Sequence, residues 1–201
     1  MTSIIWDMGG TLVDTYPDVD RVLAGVVRSG GGDIELAEVA SLTRRSRHEA
    51  IDILSRRFGI APERFAEAYA ELLASWQSSP PPAMAGAREA IAACRSGGGL
   101  NLVVTHRDRS SAQLLLDQLR LDIDDMVCLS DGFPRKPDPA MMLEILRRNE
   151  IPARSCLAIG DRPIDGQAAR AAGIDSYLLG SKDGPHRITS LDQVPALLGR
   201  D

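Results

Sequence analysis

Six side chains and one run of glycine backbone, scattered along 201 residues, share a chemistry. Asp7 follows Ile4-Ile5-Trp6 and precedes Gly9-Gly10-Thr11. Thr105 and His106 follow Leu102-Val103-Val104, and Lys136 stands inside Arg135-Lys136-Pro137-Asp138-Pro139. Asp161 and Asp165 close the set in Gly160-Asp161-Arg162-Pro163-Ile164-Asp165. A carboxylate such as Asp7 can attack phosphorus and form an acyl phosphate. Asp161 with Asp7 can hold Mg²⁺, an ion that prefers a few carboxylates together with water and phosphate oxygens. Lys136 offers a compact positive charge to phosphoryl oxygens. The Thr105 hydroxyl and the backbone amides of Met8, Gly9 and Gly10 can donate hydrogen bonds to them. Singly, each residue has a plainer reading. Asp7 could be a turn residue, Thr105 a strand residue, Lys136 a solvated lysine, and Asp161 and Asp165 acids at a helix start. Jointly they suit phosphoryl transfer.

The elements that must position these groups follow from the apolar pattern. Ile4-Ile5-Trp6 reads as a buried strand delivering Asp7 at its end. From residue 86 onward the chain alternates. Helices near 86–96, 109–119, 138–149 and 165–172 are each followed by a strand: Leu100–Thr105, Met126–Leu129, Cys156–Ile159 and Ser176–Leu179. That rhythm predicts an α/β fold with a parallel sheet, whose sites lie beyond the carboxyl ends of its strands. Residues 16–79 show no strand pattern. Apolar residues recur there at helical spacing in three stretches: Val19 to Val27, Ile51 to Phe58, and Phe65 to Trp76. Ser78-Ser79-Pro80-Pro81-Pro82 then reads as a stiff linker. The expected organisation is a core made of residues 1–15 and 83–201, with a small all-helical domain, residues 16–82, inserted after the first strand.

Composition sets the boundaries. A hydrophobic fraction of 44% and a charged fraction of 25% fit a folded globular chain. A formal charge of −5 gives no broad basic field, so nucleic acid is not an expected partner. No segment reads as a membrane span or a secretory leader. Cys94, Cys128 and Cys156 are odd in number, far apart and set among apolar residues, which points to buried thiols in a reducing, cytoplasmic compartment. The state of association is left at monomer or homodimer.

These motifs, taken in order, carry a resemblance over nearly the whole chain. Asp7-Met8-Gly9-Gly10-Thr11-Leu12, Thr105, Lys136 and Gly160-Asp161…Asp165 resemble the four motifs of the haloacid dehalogenase-like hydrolases, and the helical insertion resembles that family's small cap. The resemblance implies a Rossmann-like core with Asp7 as nucleophile. It implies Mg²⁺ held by Asp7, Asp161 and the backbone carbonyl of Gly9, with Asp165 binding the metal or supporting it. Met8, Gly9, Gly10, Thr105, His106 and Lys136 would surround the phosphate of a small phosphorylated metabolite.

In one place the chain departs from that pattern. Family phosphatases place a second aspartate two residues after the nucleophile, as general acid and then base, and here that position is Gly9. General acid–base help is typically worth about 10²–10⁴ in rate. His106 is the nearest residue in sequence able to move the proton instead, and its ordinary pKa suits the task. The principal expectation is a Mg²⁺-dependent phosphatase working through an aspartyl phosphate. The alternatives are a catalytically weak phospho-ligand-binding protein of the same fold and a metal-independent 2-haloacid dehalogenase. Arg44, Arg45, Arg47 and His48 form a basic cluster in the helical insertion, read first as a solvated helix face and second as a cleft-facing set that meets an anionic substrate.

Overall fold

The computed structural model describes residues 1–180 and 186–199. Its strands are β1 (Ser3–Trp6), β2 (Asn101–Val104), β3 (Asp125–Val127), β4 (Cys156–Gly160), β5 (Asp175–Leu179) and β6 (Arg187–Ile188). Its helices are α1 (Tyr16–Ser29), α2 (Leu36–Thr43), α3 (Arg47–Phe58), α4 (Pro62–Ser75), α5 (Ala87–Ser96), α6 (Arg109–Gln118), α7 (Ala140–Arg148) and α8 (Pro163–Ala171). The chain divides into two compact units, one of residues Met1–Val13 and Pro82–Asp201, the other of Asp14–Pro81.

The first unit is the parallel α/β sheet that the strand–helix alternation predicts. Its six strands run in the order β3-β2-β1-β4-β5-β6, and every pairing is parallel. All four residues of β1 and of β2 are buried, as strands covered on both faces must be. Ile5, Leu102, Val104, Val127 and Ala158 pack on one face with Met141, Met142 and Ile145 of α7 and Ala168 and Ala169 of α8. Side chains alternate along a strand, so Ile4 and Trp6 turn to the opposite face. There Trp6 Nε1 donates to Asn101 Oδ1 (3.1 Å), and Asn101 Nδ2 donates to the carbonyl of Ile91 on α5 (3.1 Å). This chain of bonds satisfies the polar atoms of two buried residues where an open partner would cost about 1–3 kcal/mol.

The second unit is four helices. Here α1 packs against α2, α3 and α4, and Leu23, Val27, Val39, Leu54, Phe65 and Trp76 are buried. The apolar spacing of this stretch picks out three helices and misses α2. Only Val39 and Thr43 of α2 are buried, too few to leave a periodic signal. Further short elements escaped the sequence, among them β6, only two residues long, and a 3-10 stretch at Leu191–Leu197 with Pro195 inside it. No helix among the described residues is long and apolar enough to cross a membrane. The three cysteines are free and buried. Burial pushes the thiols of Cys94 and Cys128 up to about 11 and that of Cys156 up to about 12. Such thiols are inert rather than nucleophilic.

Candidate active site

Topology gathers the first carboxylates. The strand order reverses direction at β1, which lies between β2 and β4, and open α/β sheets place ligands at such a point. Asp7 leaves the end of β1 with its amide donating to the carbonyl of Ile159 in β4 (2.8 Å). Asp161 is the first residue past β4. The chain between them and the next element is wound tightly. The Met8 carbonyl accepts from the amides of Leu12 and Val13, both at 2.9 Å, and Gly10 adopts φ 85°, where a side chain would be strained. This winding turns Thr11 inward, and its Oγ1 donates to Asp161 Oδ1 (3.2 Å).

Lys136 binds the centre together. It is buried, and its ammonium donates to Asp7 Oδ1 (2.5 Å), Asp165 Oδ1 (2.5 Å) and the carbonyl of Val104 at the end of β2 (3.1 Å). Those three bonds use all three of its protons. Burial alone would pull the ammonium toward its neutral form, but the charges of Asp165 and Asp7 outweigh burial and hold it above the ordinary lysine value.

The two carboxylates respond differently to the same lysine. Burial raises both, and Lys136 opposes it in both. For Asp7 burial prevails, reinforced by the like charge of Asp165, and its pKa is raised. For Asp165 the cations prevail and its pKa is lowered. Asp165 has an added partner: its Oδ2 accepts from the amide of Arg162 (3.0 Å), which caps the first turn of α8. One ammonium thus faces two buried carboxylates, with Asp161 beside them.

Carboxylate oxygens of Asp7, Asp161 and Asp165 all lie within 4.8 Å of one another. An all-oxygen donor set of this kind suits Mg²⁺. Both oxygens of Asp165 already accept hydrogen bonds, one from Lys136 and one from Arg162, so Asp7 and Asp161 are the better placed ligands.

The remaining predicted residues fall as follows. Thr105 is buried, with its amide on the carbonyl of Val127 (3.0 Å) and its Oγ1 accepting from the amide of Arg107 (3.2 Å). Accepting there leaves the hydroxyl proton to point elsewhere. The Gly10 amide, expected to face phosphate, instead donates to the carbonyl of Val13 (2.8 Å), because the turn closes on itself. That leaves the amides of Met8 and Gly9 from the expected trio. His106 comes to the centre as an acceptor: its Nε2 takes the amide proton of Lys136 (2.9 Å). Burial, together with the cations Lys136, Arg162 and Arg135, pushes its pKa down to about 3. An imidazole that stays neutral at working pH, with Nε2 engaged, is not the proton donor expected of it.

The basic cluster of the helical unit is exposed at Arg44, Arg45, Arg47 and His48, as a solvated helix face is, and its arginines make local surface contacts. The Arg44 guanidinium stacks 3.7 Å from the Tyr16 ring centroid and pairs with Asp20 Oδ2 (3.2 Å). Arg45 pairs with Glu49, and Arg47 lies 3.8 Å over the Tyr69 ring.

Sequence reasoning missed Gly160 as a structural requirement. A Cβ placed there would lie 2.4 Å from Asp165 Cβ and 2.6 Å from its Cγ. Only hydrogen fits, and that is what lets Asp165 approach the strand end. Gly160→Ala is therefore expected to displace Asp165, lower stability by about 1–3 kcal/mol and reduce activity with it. Urea unfolding and a rate assay check this, and a variant matching the wild type in both would contradict it.

A family model described as haloacid dehalogenase-like hydrolase matches residues 1–173. The phosphoglycolate phosphatase of Nitrosospira multiformis is 31% identical over 187 residues, covering 85% of this chain and 79% of that protein. The phosphoglycolate phosphatase of Pseudomonas syringae pv. tomato is 30% identical over 187 residues, covering 85% of this chain and 66% of its own greater length. Among solved structures, a HAD-superfamily hydrolase from Geobacter sulfurreducens superposes with a TM-score of 0.74 at 23% identity, covering 99% of this chain and 97% of that one. At that identity the likeness concerns the fold.

Proposed function

Since the chain belongs to the haloacid dehalogenase-like hydrolases, we propose that it is a Mg²⁺-dependent phosphatase of small phosphorylated metabolites, with Asp7 as the nucleophile. The observation that carries the reading is the meeting of the Asp7, Asp161 and Asp165 carboxylates within 4.8 Å of one another, with the buried ammonium of Lys136 on Asp7 and Asp165. An Asp7 carboxylate oxygen attacks phosphorus, the bond from phosphorus to the substrate oxygen breaks, and an aspartyl phosphate forms. Water then attacks phosphorus, the bond to Asp7 breaks, and inorganic phosphate leaves with the carboxylate restored. Lys136 sets its positive charge beside the phosphoryl oxygens, and the Thr105 hydroxyl donates to them, aided by the amides of Met8 and Gly9. Asp7, Asp161 and the Gly9 carbonyl would hold Mg²⁺, and Asp165 supports the set by fixing Lys136. The ion, when bound, offsets the negative charge of the phosphoryl group.

The raised pKa of Asp7 belongs to the protein before any cation joins it. A divalent ion beside two carboxylates supplies the charge that one lysine does not. Phosphoglycolate is the first metabolite to test, because proteins with that activity align over most of the chain. The direct assay is phosphate release from an aryl phosphate with and without Mg²⁺. Release that needs the ion is expected; equal release in a chelator contradicts the reading.

Gly9 sets the substrate preference within it. With no side chain there to protonate a leaving group, esters whose leaving groups depart as stable anions are turned over fastest. Gly9→Asp is expected to raise turnover of an alkyl phosphate about tenfold. That lies below the usual 10²–10⁴ for acid–base help because the new carboxyl is not oriented for the task. Aryl phosphate turnover should change little. A Gly9→Asp protein whose alkyl-to-aryl rate ratio equals that of the wild type would contradict this.

A further inference from the structure

We propose that His106 is the positioning residue of Lys136: as a neutral acceptor it fixes the backbone from which the ammonium reaches Asp7. The proposal rests on the phosphatase reading for its consequence in rate, but its structural content stands apart. Lys136 meets the end of β2 at two points. Its ammonium donates to the carbonyl of Val104, and its own amide donates to Nε2 of His106. Thr105 lies between those two anchors. The anchoring backbone is itself pegged on both sides of His106, by the Thr105 amide on Val127 and by the Leu129 amide on the Arg107 carbonyl (3.1 Å). On the other strand of the contact, Arg135 and Asp138 close a turn around Lys136, with the Asp138 amide on the Arg135 carbonyl (3.0 Å). His106 therefore joins two rigid segments at the α-carbon end of Lys136, while Asp7, Asp165 and Val104 fix its far end.

The choice of imidazole follows from the charges around it. Lys136, Arg162 and Arg135 lie on the cationic side, and Asp165 on the anionic side. A carboxylate at position 106 would accept the same amide proton but would also draw the Lys136 ammonium away from Asp7. A neutral ring accepts without competing. Because Nε2 accepts, the ring proton resides on Nδ1.

Two variants and two readouts test this. His106→Ala removes the acceptor, and His106→Gln restores one of similar reach. In His106→Ala, kcat is expected to fall by about 10- to 10²-fold with KM little changed, the scale of a small misplacement of a catalytic group. His106→Gln should recover most of that loss, to within the few-fold typical of one hydrogen bond. Independently of turnover, amide exchange at Lys136 should quicken in His106→Ala while amides of β1 and β4 keep their protection. The nitrogen-15 shifts of the wild-type ring should report a proton on Nδ1 at neutral pH. Wild-type kcat in His106→Ala, unchanged Lys136 exchange, or a proton on Nε2 would each overturn the proposal. A wild-type protein without phosphatase turnover would instead sink the phosphatase reading, and the exchange and nitrogen measurements would still decide the anchor.

Discussion

Asp7→Asn is expected to abolish turnover while making the protein more stable. The loss follows from removing the proposed nucleophile: an amide does not form the acyl phosphate. Removing one member of a catalytic unit lowers kcat by a factor on the order of 10⁴–10⁶. The gain follows from the charge balance of the centre. Two buried carboxylates share one ammonium, and burial holds the pKa of Asp7 above its ordinary value despite Lys136. The native state therefore binds this proton more tightly than the unfolded chain does. That contribution is fully present below the ordinary aspartate pKa and is lost as pH rises through the raised one. At neutral pH Asp7 works against folding, and asparagine removes the burden at nearly the same volume. The expected gain is about 1 kcal/mol, the usual scale when a strained functional group is neutralised. It should vanish at pH values below the ordinary aspartate pKa. Urea unfolding without Mg²⁺ at neutral and acid pH, beside a rate assay, reads both. An Asp7→Asn protein less stable than the wild type at neutral pH would contradict this charge balance.

Lys136→Met is expected to fail in both respects. Methionine fills similar space but leaves Asp7 and Asp165 facing one another without their shared cation. Breaking a buried pair by removing one partner typically costs about 3–5 kcal/mol. Turnover should fall by about 10²–10³-fold, the usual effect of losing a preorganised charge at a transition state. Asp165 is held below the ordinary value by Lys136 and by Arg162. Its stabilising contribution is present above the ordinary aspartate pKa and is lost as pH falls through the lowered one. Without Lys136 most of that contribution disappears, so the variant should lose less stability than the wild type as pH falls below the ordinary aspartate pKa. Neutralising the second carboxylate, in Lys136→Met with Asp165→Asn, should recover part of the lost stability and none of the activity. A single variant as stable as the wild type would show that the lysine does not hold these carboxylates together.

The opposite signs of these two variants come from geometry that the sequence could only partly suggest. The parallel sheet was legible because Ile4-Ile5-Trp6, Leu102-Val103-Val104 and Cys156–Ile159 are apolar runs separated by helices of about ten residues. Asp7, Lys136 and Asp161 were legible as candidates because each stands at the end of such a run or at a helix start. The turn between Asp7 and Val13 was visible in its glycines, but which amides it would consume was not. The Gly10 amide is spent on Val13, a pairing that depends on how the loop winds. His106 was visible as a titratable neighbour of Thr105 and drew attention as a proton donor. Its environment reversed that role: three cations and burial leave it a neutral acceptor. Its hydrogen-bond donor, Lys136, lies 30 positions away in sequence, and nothing local to Thr105-His106-Arg107 announces it. Gly160, the last residue of β4, is the gap into which Asp165 fits, a steric need that its sequence neighbours do not announce. Helix α2 and strand β6 were missed for a simpler reason, since too few of their residues are buried to leave a period.

The central claim is that Asp7 accepts the phosphoryl group. Rapid mixing with an aryl phosphate and Mg²⁺, acid quenching within one turnover, and peptide mapping of the denatured protein test it most directly. The account predicts one acid-stable, hydroxylamine-sensitive phosphoryl group, on the peptide that carries Asp7, and none in Asp7→Asn. Phosphate release at the wild-type rate with no label on that peptide, or the same rate from Asp7→Asn, would contradict it.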